Sequence, residues 1–585
     1  METMKTGNRK KVLFVCSAIF LFMAFLIGRL AFLMIFQSEY YFERANAIHE
    51  REREIKAPRG QIYDRNGTLI AGNRAVCSIS VIYSQVTDPE RVIKELSERL
   101  EISEETVRKK VEKNSIREKI KSNVAKEIAD EIRNLNLDGV MIDEDYKRYY
   151  LYDSLASRVI GFTGGDNQGI VGLEVFYEKY LAGIPGSINT LTNAKGIEIK
   201  NAAETRTEPV AGQNLYISLD VNIQKYCEQA AEKVKISKSA NRVSMIVMNP
   251  QNGEIYAMVN VPEYNLNDPY TLNTDTDISG MSEEAVNELL NQMWRNPCIS
   301  DTYEPGSTIK IVTATAALEE NVVSVDDTFS CPGFKIVEDR RIKCHKTTGH
   351  GAETFKQGIM NSCNPVFMEV GARVGPERMY ANYRKLGLFQ KTGVDIPGEA
   401  NSIMHKLENI GAVELATMSF GQSIQITPLQ LLRAASAVIN GGTLVTPHFG
   451  MYTTDSEGKK LTTFTYDTEK NVIREDTSAL MRELLEAVVS EGSGKNAKIE
   501  GYRIGGKTAT SEKLPRSENK YISSFIGFVP ADNPQLIALI MIDEPQGVYY
   551  GGTIAAPVVR DVYENIMNYM GIMPAYEVDE DTTEE

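Results

Sequence analysis

Residues 12 to 36 read VLFVCSAIFLFMAFLIGRLAFLMIF, 25 positions whose one charge is Arg29. As a helix this run spans roughly 37 Å at 1.5 Å per residue, enough to cross a bilayer. A cleaved leader has an apolar stretch of about 7–15 residues and a small-residue cleavage site. Here the longer run leads instead into Gln37-Ser38-Glu39-Tyr40-Tyr41-Phe42, so it reads as a membrane anchor. Lys5, Arg9, Lys10 and Lys11 flank it on one side, and a mixture of Glu39, Glu43, Arg44 and Glu50 on the other. The positive-inside bias makes residues 1–11 a cytoplasmic tail, puts everything after residue 37 outside the plasma membrane, and lets Arg29 snorkel to the outer interface.

The remaining chain is too long for one ordinary core, since the whole has 585 residues. With 64 Lys+Arg against 79 Asp+Glu the net charge is −15, so nothing in the bulk electrostatics favours nucleic acid as a partner. The seven cysteines (16, 77, 227, 298, 331, 344 and 363) contain no CxxC pair and form no even framework.

Residues 37–210 read as a positioning module. Gln61-Ile62-Tyr63 with the Asn66-Gly67 turn signals a hairpin, and Val92, Ile93, Leu96, Leu100 and Val124, Ile128, Ile132, Leu135 recur at helical spacing in highly charged text. The composition shifts near Val210. Leu215–Asp220 reads as a strand before an amphipathic helix (Ile223 to Val234), and VSMIVMNP with EIYAMVNVP around Asn252-Gly253 as a hairpin. Helices are expected at Ser307–Glu320, Thr354–Val374 and Pro428–Ile439, and more sheet in YRIGGKTAT, YISSFIGFV and LIALIMID. Strands at both ends with helices between predict one α+β unit over 211–572, whose terminal segments share a sheet. Residues 573–585 read as an acidic disordered tail.

Three short motifs could carry chemistry. Ser307-Thr-Ile-Lys310 puts a hydroxyl and an amine on one helical face. The same SxxK spacing at Ser456–Lys459 and Ser517–Lys520 lies in turn-like text, whereas Pro305-Gly306 starts a helix made apolar by Ile309, Ile311, Val312 and Ala314. Burial there would lower the lysine pKa and make it a usable base. Ser362-Cys363-Asn364 offers a hydroxyl and an amide on one turn. Lys507-Thr508-Ala509-Thr510 follows Gly505-Gly506 as a strand whose lysine and hydroxyls could bind an anion.

Two competing patterns are weaker. Gly501 to Thr508 fits GxxxxGK[ST], but a phosphate loop must open a helix, and ATSEKLPRSENK has Pro515 and no helical period. Cys331, Cys344, His345 and His350 have the spacing C-x12-C-H-x4-H, without the close cysteine pair of a zinc site. A local Cys331–Cys344 disulfide is the expectation in an extracytoplasmic domain. With five histidines and no GxSxG, a Ser-His-Asp hydrolase has little support.

SxxK, SxN and KTA in this order resemble the three active-site motifs of the penicillin-recognising serine acyltransferases. The resemblance extends to Arg59-Gly60-Gln-Ile-Tyr-Asp64-Arg65-Asn66-Gly67, Gly169-Ile-Val-Gly172-Leu-Glu174, Leu219-Asp220 with Gln224, Tyr303-Glu304-Pro305-Gly306, and Phe420-Gly421-Gln422. Together with the anchor these look like a class B penicillin-binding protein, without the glycosyltransferase segment of the bifunctional class. The resemblance implies a pedestal or dimerisation-type module and a transpeptidase domain with an antiparallel sheet flanked by helices. It implies Ser307 as nucleophile toward the penultimate D-alanine of a stem peptide, Lys310 as proton acceptor, Ser362 as proton relay and Asn364 as a hydrogen-bonding partner of Lys310 and substrate. Lys507, Thr508 and Thr510 would hold the terminal carboxylate, and β-lactams would trap Ser307. No cofactor or metal is called for; a membrane glycosyltransferase and division or elongation proteins are the implied partners. Two positions depart from the family pattern, Ala509 and Ser423, where glycine is usual. A β-lactamase, a β-lactam sensor or a non-catalytic scaffold would share parts of this pattern, but the module at 37–210 and the short tail METMKTGNRKK fit the first two poorly, and the intact motifs weigh against the third.

Overall fold

The computed structural model describes residues 3–41, 50–115, 117–191 and 205–575; the acidic tail from 576 lies outside the described residues. The chain divides into two compact units: Met1–Pro58, Arg74–Lys147 and Ile184–Ala211 form one, and Arg59–Asn73, Arg148–Gly183 and Gly212–Glu585 the other.

In the first unit the apolar run lies in one helix, Thr3–Ile35, whose stretch Arg9–Ile35 is long and apolar enough to cross a membrane. Helix Pro89–Leu100 starts where the Asp88 carboxylate accepts from Arg91 N–H and Pro89 supplies a preset φ. Its buried stripe of Val92, Ile93, Leu96 and Leu100 joins Val107 and Ile132 of the helices Glu104–Val111 and Lys126–Asn134 in a small core. That core rests on antiparallel pairing between Val76–Val81 and Glu118–Ala125.

The second unit is built on a five-stranded antiparallel sheet of β1 (Arg242–Met248), β2 (Ile255–Val261), β3 (Gly505–Glu512), β4 (Tyr521–Val529) and β5 (Leu536–Asp543), in the order β2-β1-β5-β4-β3. The N- and C-terminal segments of the unit meet where β1 pairs with β5, Ile246 opposite Leu539. Both faces of β1 and β5 are covered, which is why they read as apolar on both faces, β5 without a break up to Asp543 and β1 broken only by Ser244 after its first residue. Val243, Met245, Val247, Ala538 and Ile540 enter one core with the helices α1 (Val221–Lys238) and α6 (Ala556–Met570). Ile246, Met248, Ile537 and Leu539 enter the other, under α2 (Lys310–Glu319), α3 (Asn364–Val374), α4 (Pro428–Ile439) and α5 (Glu475–Ser490).

The long helix expected over Thr354–Val374 is two helices, Phe355–Met360 and α3. Ser362 adopts φ +54°, Cys363 N–H turns back to the Gly358 carbonyl, and Pro365 has no N–H with which to continue the ladder. The SxN motif is the link between them. Elsewhere in this unit Glu174, fully buried, accepts from Arg59 Nε and Arg148 Nε, each at 2.6 Å, which pairs two motifs that the sequence holds 115 residues apart.

Candidate active site

Gly306–Ile309 is a 3-10 turn that runs directly into α2 and carries Ser307, half-buried, at the mouth of a cleft of about 520 Å³. The turn is shaped by two glycines. Gly306 has φ +56°, and a methyl there would lie 2.4 Å from Ser511 Oγ; Gly421 has φ +92°, and a methyl there would lie 2.0 Å from the Gly306 carbonyl oxygen. Gly306 N–H donates to the Gly421 carbonyl, so the Phe420-Gly421-Gln422 segment braces the serine.

Lys310, 1 % exposed, directs its ammonium away from solvent into the SxN turn, donating to the Ser362 carbonyl at 2.7 Å, Ser362 Oγ at 3.2 Å and Asn364 Oδ1 at 2.7 Å. The spacing in the sequence suggested a direct Ser307–Lys310 contact; the Ser307 hydroxyl is not among these partners. A buried ammonium has three donors to satisfy, and one hydroxyl cannot accept them all. Burial lowers the Lys310 pKa to about 8. From the sheet side, Lys507 on β3 is fully buried and donates to Ser362 Oγ at 2.8 Å and to the Thr508 carbonyl at 3.1 Å. Burial, and then the charge of Lys310, hold Lys507 well below its ordinary value. The Ser362 hydroxyl therefore accepts from two lysines, which leaves its own proton free to be given to a third group.

The remaining predicted residues reach the same cleft. Thr508 Oγ1 donates to Ser493 Oγ at 3.2 Å, and Thr510 Oγ1 accepts from Gly551 N–H at 3.0 Å. The cleft is lined by Ser307, Ser362, Asn364, Thr508 and Thr510, so every predicted site residue except the buried Lys310 and Lys507 borders it. Ala509, 3 % exposed, sits where its methyl faces the Gly306 turn. Residues 505–512 form a strand with Lys507 turned inward, which removes the phosphate-loop reading.

Sequence reasoning left three participants unassigned. Glu304, just ahead of the nucleophile turn, accepts from Ser423 N–H at 2.7 Å and from Arg516 Nη2 at 2.9 Å, linking that turn to the Gly421 loop and to the segment after β3. Ser423 holds φ +64°, a left-handed conformation that explains why glycine is usual there. All seven cysteines are free thiols, so the expected Cys331–Cys344 disulfide is not formed; both instead approach Cys363, the middle residue of the SxN motif.

A sequence model described as the penicillin binding protein transpeptidase domain matches residues 243–564, and one described as the penicillin-binding protein dimerisation domain matches residues 54–217. Stage V sporulation protein D of Bacillus subtilis is 38% identical over 98% of this chain and 88% of its own length. Peptidoglycan D,D-transpeptidase FtsI of Escherichia coli is 28% identical over 96% of this chain and 92% of its own. Among solved structures, Penicillin Binding Protein 2X from Streptococcus thermophilus superposes with a TM-score of 0.72 at 22% identity, covering 88% of this chain and 80% of that one. A dimerisation module joined to a transpeptidase domain, with the three motifs gathered on one cleft, makes this chain a member of the class B penicillin-binding proteins.

Proposed function

We infer that the chain is a membrane-anchored serine D,D-transpeptidase that cross-links peptidoglycan stem peptides and is acylated by β-lactams. The observation that carries this reading is the set of hydrogen bonds from Lys310 and Lys507 to Ser362 beside Ser307. In the proposed reaction Ser307 Oγ attacks the carbonyl of the penultimate D-alanine, and its proton passes to neutral Lys310, whose lowered pKa suits a base near neutral pH. The backbone N–H groups of Ser307 and Thr510 would stabilise the oxyanion. Ser362, fed by the two lysines, protonates the departing amine, so terminal D-alanine leaves and an ester to Ser307 remains. Asn364 holds Lys310 and the substrate amide, while Thr508 and Thr510, which border the cleft, receive the terminal carboxylate, and Lys507, buried behind them, supports the site through its bond to Ser362. The amine of a second stem then attacks the ester, its proton returns through the same groups to Ser307, and an amide cross-link is formed.

The basic flank Lys5, Arg9, Lys10 and Lys11 supports a cytoplasmic N-terminus and an extracytoplasmic catalytic unit in the reading 211–572. Residues 37–210 would serve as the pedestal that meets a membrane glycosyltransferase. The higher identity to the sporulation relative than to FtsI, 38% against 28%, makes sporulation the process to examine first. The test is chemical: full-length chain in detergent, given a stem pentapeptide and an acceptor amine, is expected to release one D-alanine per cross-link formed. Release without cross-link under saturating acceptor would make it a hydrolase instead.

A further inference from the structure

We propose that Cys331, Cys344, His350 and Cys363 form a mononuclear zinc site that fixes the SxN turn of the active site. The three Sγ atoms and a ring nitrogen of His350 lie within 4.8 Å of one another, although the residues come from three separate places in the chain. Tetrahedral zinc with Zn–S bonds of about 2.3 Å puts its sulfur ligands about 3.8 Å apart. Cys344 Sγ lies 3.7 Å from His350 Nδ1, a separation on that scale, whereas a polynuclear iron–sulfur cluster needs its ligand sulfurs further apart. The three cysteines are 1 %, 2 % and 0 % exposed, and three thiols with one imidazole are a structural zinc donor set.

The backbone around the cluster is arranged to bring these ligands together. Cys331 ends the strand Thr328–Cys331 and Cys344 follows the strand Arg340–Lys343. Their loops cross where Gly349, at φ +83°, approaches so closely that a methyl would lie 2.3 Å from the Cys331 carbonyl oxygen. Gly333, at φ +92°, meets the Thr347 carbonyl in the same way, at 2.1 Å. Beside them the Glu353 carboxylate is buried, with Oε2 accepting from Asn361 Nδ2 and Oε1 lying 3.8 Å from His350 Nδ1 without a hydrogen-bond partner. The sequence had grouped His345 with Cys331, Cys344 and His350; His345 is exposed on the cleft, and Cys363 takes its place in the set.

Binding would replace three S–H bonds by Zn–S bonds, release the protons to solvent, and add one Zn–N bond. Its consequence for the active site follows from connectivity. Cys363 sits between Ser362 and Asn364, and Asn364 Nδ2 donates to the carbonyl of Lys343, the neighbour of Cys344. One ion would thus clamp the loop after 343 to the turn that receives both lysines, and hold Ser362 at its φ of +54°. That second step rests on the transpeptidase reading; the metal site itself does not.

The test uses the full-length chain in detergent, purified under reducing conditions without chelator. Elemental analysis is expected to find about one zinc per chain, falling at least tenfold in Cys344→Ser and in His350→Ala and unchanged in Cys77→Ser and Cys227→Ser. Mild chelation of the wild-type chain is expected to slow penicillin acylation by about 10- to 100-fold, and added zinc to restore it. A folded wild-type chain that takes up no zinc when it is supplied, or mass spectrometry showing a disulfide among the three cysteines, would overturn the site. Stoichiometric zinc whose removal leaves acylation unchanged would overturn the clamp. A chain that binds zinc but is never acylated would leave the site standing and overturn the transpeptidase reading.

Discussion

Lys507 Nζ donates to Ser362 Oγ at 2.8 Å, although 145 residues separate them and one lies on the sheet and the other between two helices. Lys310 reaches the same hydroxyl at 3.2 Å, so one small side chain is the meeting point of two buried ammonium groups. Replacing Ser362 by Ala removes a shared acceptor at no gain in packing. Leaving buried N–H donors unsatisfied is expected to cost about 1–3 kcal/mol of stability, and loss of the relay about 10²- to 10⁴-fold in acylation rate. Ser307→Ala is expected to abolish acylation while leaving the denaturation midpoint nearly unchanged. Rapid-quench acylation and urea unfolding of the two variants check both halves.

The acid limb of activity is expected to follow Lys310. Its pKa is lowered to about 8, so below that pH the ammonium form dominates and the base fraction falls about tenfold per unit. Acylation at subsaturating penicillin should rise with pH through neutrality and level off above about 8. A profile flat from pH 6 to 9 would remove Lys310 from the base role.

How much of this was legible in the sequence depends on the range of each interaction. The strands β1, β2, β4 and β5 and helix α4 were readable because a strand covered on both faces, or a helix buried all round, is predominantly apolar along its length, with only scattered polar residues such as Ser244, Asn260 and Gln430. The break at Ser362 was not, because the apolar spacing of 355–374 continues across it and only Pro365 marks it locally. The motif residues were legible as types in an order, and the family resemblance also gave the Asn364–Lys310 bond; the rest of the wiring was not legible, since SxxK spacing pointed Lys310 at Ser307 and the demand of a buried ammonium for three acceptors turned it to the SxN turn. The thiol cluster was hidden for a similar reason, since Cys363 comes close to Cys331 through the tertiary fold alone.

The Glu174 carboxylate is the joint between Arg59 and Arg148, all three at most 2 % exposed. Burial pushes its pKa up, but Arg148 and Arg59 outweigh that and hold it below the usual carboxylate range. Glu174→Ala leaves the Arg148 guanidinium buried without its anion and Arg59 with Glu178 alone, and is expected to cost about 3–5 kcal/mol. In the wild type the sign follows from the depressed folded pKa: the contribution is complete above the unfolded carboxylate value and is lost as pH falls below it. Unfolding measured from pH 7 to pH 3 should show the wild type weakening at the acid end.

Ser423 tests backbone strain apart from chemistry. It is exposed at φ +64°, where a non-glycine residue carries about 1–2 kcal/mol of strain. Its hydroxyl bond with Thr417, at 3.0 Å, is replaceable by water. Ser423→Gly is therefore expected to raise stability by about 0.5–1 kcal/mol, read as an increase in the urea midpoint.

The most direct measurement of the central claim is intact-protein mass spectrometry of the full-length chain after exposure to benzylpenicillin, beside Ser307→Ala. The account predicts a stable increase equal to the mass of one penicillin, located on the peptide that carries Ser307 and absent from the variant. An adduct retained by Ser307→Ala, or a folded wild-type chain that forms none, would contradict it.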